Sequence, residues 1–108
     1  MQSERRGRLR PPSAAPLRGE EVVALARLGE VRVEQILSGD LGAPVAYSEE
    51  DDEWVVLLQG GARLEIGGEV LELGVGDWLV IPARTPHQLL STDPATSWLA
   101  IRSPGDRP

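Results

Sequence analysis

Apolar and polar residues alternate with a period of two through most of the chain, and short Gly-, Asp- and Pro-bearing breaks cut the alternation into strand-length pieces. Val31, Val33, Gln35 and Leu37 alternate with Arg32, Glu34, Ile36 and Ser38 until Ser38-Gly39-Asp40 ends the run, which is a strand pattern. Upstream, Val22 to Ala26 is too short for periodicity to separate a strand from one or two helical turns, and a strand is the expectation. Val45 to Ser48 reads as a brief strand after Gly42-Ala43-Pro44. Trp54-Val55-Val56-Leu57-Leu58 has no polar break, so it should be covered on both faces. Ala62, Leu64 and Ile66 alternate with Arg63 and Glu65, and Gly67-Gly68 is a two-residue hairpin turn leading into Glu69 to Leu73. After Gly74-Val75-Gly76-Asp77 come Trp78 to Ile81, the loop Pro82 to Pro86, and a strand from His87 to Ser91. A turn over Thr92 to Ala95 then pairs that strand with Ser97 to Ile101. About eight or nine short strands with close turn signals predict an all-β sandwich or barrel.

The composition changes this picture in three places. There is no Phe and few other aromatics, so Val, Leu and Ile must fill the core of a chain of 108 residues, which predicts one small domain. Zero Cys excludes disulfides, thiolate metal sites and a cysteine nucleophile, and fits a cytoplasmic protein. The net charge of −6 is uneven: residues 1–19 hold five Arg and one Glu, +4, which leaves −10 on the rest. The acidic body should repel nucleic acid and anionic membranes, so neither is an expected partner. Residues 1–19 carry Pro11, Pro12 and Pro16, which deny them a continuous helix, and they are expected to be a disordered tail. The barrel is expected over residues 20–102, with 103–108 frayed.

His87 is the only histidine. With strand alternation it shares a face with Leu89 and Ser91, which marks a site candidate, although a lone His on such a face is more often a hydrogen-bonded structural residue. The acidic run Glu49-Glu50-Asp51-Asp52-Glu53 reads for the most part as a solvated loop. Glu53, however, directly precedes the buried Trp54 strand, and a barrel could bring it to His87.

Here the chain resembles the cupin superfamily, small jelly-roll barrels that carry two motifs. The second half of the first motif is reproduced by Glu53, six residues and Gly60. The second motif is reproduced by Gly76, five residues, Pro82, and then His87, with Arg84 in its glycine slot and Ser91 in its Asn slot. The resemblance implies a cupin-type double-stranded β-helix, and in metal-binding cupins the H-x-H pair, the Glu and the later His hold one divalent ion. Here the H-x-H slots fall on Ala46 and Ser48 or on Tyr47 and Glu49, depending on the spacer. A three-His site is therefore impossible within one chain.

Two functions compete. One is a barrel that binds a small molecule inside without a secure metal site, Glu53 accepting a hydrogen bond from His87 while Tyr47 and Ser48 supply further polar contacts. Metal-free acid–base catalysis by Glu53 and His87 is a variant of this reading. The alternative is an enzyme with one divalent metal (Mn, Mg, Zn or Fe) on Glu49, Glu53 and His87, acting on a small carboxylate or carbonyl compound. A homodimer is expected, because inward-facing Glu53, Val55 and Leu57 leave Trp54, Val56 and Leu58 on the opposite face, where something must cover them.

Overall fold

The computed structural model describes residues 6–105. Its nine strands among these residues are β1 (Glu20–Leu28), β2 (Val31–Ser38), β3 (Val45–Tyr47), β4 (Asp51–Gln59), β5 (Ala62–Ile66), β6 (Glu69–Leu73), β7 (Trp78–Ile81), β8 (His87–Thr92) and β9 (Thr96–Pro104). They form a five-stranded sheet, β1-β2-β9-β4-β7, and a four-stranded sheet, β3-β8-β5-β6. Every pairing within the two sheets is antiparallel. The core between them holds Val55, Leu57, Ala62, Leu64, Ile81, Leu89, Trp98 and Ala100. No helix among the described residues is long and apolar enough to cross a membrane.

Alternation places the side chains as the sequence pattern requires. On β4, Glu53, Val55 and Leu57 are buried while Trp54, Val56 and Leu58 are half-buried on the outer face. Gly60 closes this strand with φ +89°, and a Cβ there would collide with Thr96, so the motif glycine is needed twice over. Arg84, in the second motif's glycine slot, has φ 59°, the left-handed region that an L side chain occupies at a cost of about 1–2 kcal/mol. Its amide donates to the Glu49 carbonyl at 2.6 Å, which ties the Pro82–Pro86 loop to the segment before β4.

Four expectations change. The His87 strand and Ser97 to Ile101 do not pair as a hairpin: β8 lies between β3 and β5 in one sheet and β9 between β2 and β4 in the other. Arg10 to Gly19 is not a free tail. The Arg10 amide donates to Gln35 Oε1 and Gln35 Nε2 donates to the Arg10 carbonyl, both at 2.9 Å, so a buried side-chain amide pairs with the backbone as a neighbouring strand would. Gly19 and Leu17 bond to Asp40 and Gly39, and a Cβ on Gly39 would strike the Pro16 carbonyl. The prolines that deny the segment a continuous helix leave only a single 3-10 turn at Pro12–Ala14, flanked by extended Pro11 and Ala15. Residues 1–5 lie outside the described residues. At the other end, Ser103 and Pro104 continue β9 opposite Asp52 and Asp51 instead of fraying, and residues 106–108 lie outside the described residues. In the acidic run, Asp51 to Glu53 belong to β4, where Arg32 pairs with Asp51 and Asp52 accepts from the Ala83 amide at 2.8 Å.

Candidate functional site

One end of the barrel opens into a cavity of about 160 Å³ between the sheets. Its walls are largely apolar, with Val55, Leu64, Leu89 and Trp98 among them, and its polar lining is Glu20, Tyr47, Glu49, Glu53, His87 and Arg102. Strand alternation explains the set. Trp98, Ala100 and Arg102 occupy alternate positions of β9, so the face that contributes Trp98 to the core also sends Arg102 inward, directly opposite Glu53 in the ladder.

Arg102 organises the charge. Its Nε donates to Glu34 Oε1 at 2.8 Å, its Nη1 donates to Glu49 Oε1 at 2.6 Å, and its Nη2 lies 3.1 Å from Glu53 Oε2. The side chain is 12% exposed, that of Glu34 14% and that of Glu53 8%, while that of Glu49 is 40% exposed at the mouth. Burial works against the guanidinium charge, but its hydrogen bonds to Glu49 and Glu34 and the Glu53 charge more than offset it, so Arg102 holds its proton more tightly than usual. For Glu53, burial raises the pKa and outweighs the opposite pull of Arg102, with Glu49 adding to the rise.

His87 and Tyr47 form the facing wall. Their rings stack with centroids 5.7 Å apart. His87 Nδ1 lies 2.9 Å from the Thr85 carbonyl, which can only accept; Nδ1 therefore carries the proton, and in the neutral ring Nε2 keeps the lone pair. The Tyr47 hydroxyl donates to Glu20 Oε1 at 2.6 Å. Burial, then this bond and the surrounding carboxylates, raise its pKa, so the phenol stays neutral.

The expected residues come together only in part. Tyr47, Glu49, Glu53 and His87 line the one cavity, so of the two H-x-H alignments the structure brings Tyr47 and Glu49 inside. Ser48 stays outside that cavity: it is exposed and lines an outer cleft that shares Tyr47 and His87 with it, beside Ala46, Glu65 and Gln88. Glu53 and His87 take different partners, Arg102 and Thr85, in place of the expected mutual hydrogen bond. Ser91 leaves the His87 face because the β5–β8 register shifts between Leu89 and Ser91. Glu20, Glu34, Trp98 and Arg102 are site residues that the motif comparison passes over. The inward period of Trp98, Ala100 and Arg102, together with the need of an inward Glu53 for a partner, was the available signal.

For a divalent ion the donor set does not fit. Glu49 and Glu53, two of its three expected ligands, face a guanidinium, and among the described residues no group of three or more His, Cys, Asp or Glu side chains could hold a metal ion. The Cupin domain family matches residues 32–102. The chain is a cupin. Solved structures agree with that assignment. A provisionally assigned mannose-6-phosphate isomerase from Ralstonia eutropha JMP134 is 31% identical, with 85% of this cupin and 89% of that chain covered and a TM-score of 0.74. KdgF from Halomonas sp. is 24% identical over 82% of each chain, with a TM-score of 0.70. A cupin protein from Bacteroides fragilis is 22% identical, over 96% of this chain and 86% of that one, with a TM-score of 0.64. No curated protein matches the sequence of this cupin.

Proposed function

We propose that this cupin binds a small molecule in its interior cavity without a metal ion. The observation that carries the reading is Arg102, whose three guanidinium nitrogens meet Glu34, Glu49 and Glu53 inside the barrel. A fixed positive charge within 2.6 to 3.1 Å of the Glu49 and Glu53 oxygens repels a divalent cation from those same atoms. The alternative of a metal enzyme on Glu49, Glu53 and His87 loses its support on that ground. Untagged protein equilibrated with manganese, zinc, iron or magnesium and then desalted tests the reading by elemental analysis. Far less than one ion per chain is expected, and one ion per chain would overturn it.

A second reading, proton transfer on the bound ligand, draws support from one pair of groups. Glu53 has a raised pKa and so suits a proton donor, and the tautomer of His87 leaves Nε2 as an acceptor on the same cavity. Glu53 and His87 are the two catalytic candidates that the sequence offers, without a division of roles between them.

A further inference from the structure

The cavity has both hydrogen-bond donors and acceptors to spare, and its charges oppose an ion of either sign. A guanidinium has five N–H groups. The one on Nε of Arg102 serves Glu34 and one on Nη1 serves Glu49, which leaves one on Nη1 and two on Nη2 without a hydrogen bond among the described residues. Nη2 lies 3.1 Å from Glu53 Oε2 as an ion pair and not as a hydrogen bond. Glu53, 7% exposed, accepts no hydrogen bond among these residues, and His87 Nε2 has no partner among them either. Side-chain polar atoms sealed from solvent all have partners among the described residues, so these unpartnered atoms are open to solvent, and Arg102, Glu53 and His87 all line the cavity.

We propose that the ligand is a small uncharged molecule with a primary amide head, its carbonyl accepting from the Arg102 Nη groups, its N–H groups donating to Glu53 and His87 Nε2, and its short apolar stem against Val55, Leu64 and Leu89. Charge selects against ions. Arg102 repels an organic cation from Glu49 and Glu53 as it repels a metal ion, and a carboxylate or phosphate meets the four carboxyl groups of Glu20, Glu34, Glu49 and Glu53 around that guanidinium. Hydrogen bonding then selects among neutral heads. An amide has a carbonyl oxygen and two N–H donors, so it serves the Arg102 N–H groups and both acceptors at once, whereas a hydroxyl has one donor and a ketone none. Arg102 Nη2 and Glu53 Oε2 lie side by side, so the head must present an acceptor and a donor on neighbouring atoms, as an amide does. Glu53 keeps an accepting oxygen even when protonated, so its raised pKa does not remove the contact. Size sets the scale: a cavity of about 150 Å³ holds benzene, so the cavity of about 160 Å³ here takes a ligand, or the part of one that enters, of about six heavy atoms.

The inference rests on the reading of the interior as a metal-free binding cavity, and the experiment separates the two. Butyramide, butanol, pentan-2-one, butyrate and butylammonium are titrated into the isotope-labelled full chain, with the Trp98 indole N–H and the His87 ring as reporters of the cavity. Saturable shifts at both reporters are expected with butyramide. Pentan-2-one, which has the shape of the amide without its donors, should bind at least about tenfold more weakly, the equivalent of one hydrogen bond to a charged group, with butanol in between. Butyrate and butylammonium should leave both signals in place. In Glu53→Gln the preference for the amide over the ketone should shrink while the ketone itself binds as before; a preference unchanged from the wild type would overturn the Glu53 contact. Any of the other four compounds binding as tightly as butyramide would overturn the amide assignment and leave the cavity reading standing. No shift at either reporter with any of the five would overturn both.

Discussion

Replacing Arg102 with Met keeps the length of the side chain and removes the cation that, among the described residues, pairs with Glu34, Glu49 and Glu53. Removing one partner of a buried ion pair costs about 3–5 kcal/mol, because the remaining charge stays buried without compensation. Glu53 and Glu34, with side chains 8% and 14% exposed, place this site in that regime. Glu49, 40% exposed, should add no more than a surface pair does, about 0–1 kcal/mol. The expected loss at neutral pH is therefore about 3–5 kcal/mol, against a total stability of roughly 5–15 kcal/mol for a domain. In a domain of this size each kcal/mol lowers Tm by roughly 4–8 °C, so a fall of at least about 12 °C should be seen. The loss should shrink as the pH falls, since without the guanidinium the folded-state pKa values of the carboxylates rise and protonation relieves the repulsion. Urea denaturation at neutral and mildly acidic pH measures both effects. A loss below about 1 kcal/mol, or one that does not depend on pH, would show that the guanidinium is not the counter-ion of a buried acidic cluster.

Three further outcomes follow from the same structure. The folded-state pKa of Glu53 lies above its ordinary value of 4.5, so wild-type stability should fall as the pH rises from there through the folded-state pKa. Glu53→Gln should remove that slope, and identical urea midpoint profiles for the two proteins would contradict the raised pKa. Deleting residues 1–19 should uncover Gln35 and Leu37, which are 1% and 0% exposed on one face of β2, and break two hydrogen bonds to Arg10. Uncovering the leucine is worth about 1.5–3 kcal/mol, so an unchanged Tm would show that the segment does not cover them. Finally, we propose a homodimer through the outer face of β4 and β7, where the Trp54 and Trp78 rings lie 6.1 Å apart and Trp78 and Val80 remain 61% and 55% exposed. Sedimentation equilibrium should give twice the chain mass, Trp78→Glu should give one chain mass, and a monomeric wild type would refute the interface.

Much of the fold was legible because the strands obey one physical rule that leaves a direct trace in the sequence. Side chains alternate, Gly-bearing turns interrupt them, and all the expected strands form, with the two faces of Trp54 to Leu58 divided as alternation requires. The motif glycines were legible as backbone requirements, and Arg84 shows why that slot favours glycine, since its φ is 59°. What was not legible depended on partners distant in sequence. Arg102 is one of eleven arginines, and only the pairing of β9 with β4 and β2 sets it among Glu34, Glu49 and Glu53. The acidic run looked like a solvated loop for the same reason, because the cations that neutralise it, Arg32 and Arg102, come from β2 and β9. The N-terminal segment has the composition of a disordered tail, and its docking uses the buried amide of Gln35, which alternation alone made look like an ordinary strand residue, and backbone bonds of Leu17 and Gly19 to the turn at Gly39 and Asp40. The one-residue register shift in β8 that turns Ser91 outward has no signature in the alternation either.

The central claim is that an internal guanidinium stands where metal-binding cupins would need an ion. Crystals grown in millimolar manganese, with diffraction recorded at a wavelength where manganese scatters anomalously, test it most directly. The expected result is an ordered Arg102 side chain between Glu34, Glu49 and Glu53 with no anomalous peak in the cavity. A peak coordinated by Glu49, Glu53 and His87, with Arg102 displaced, would contradict it.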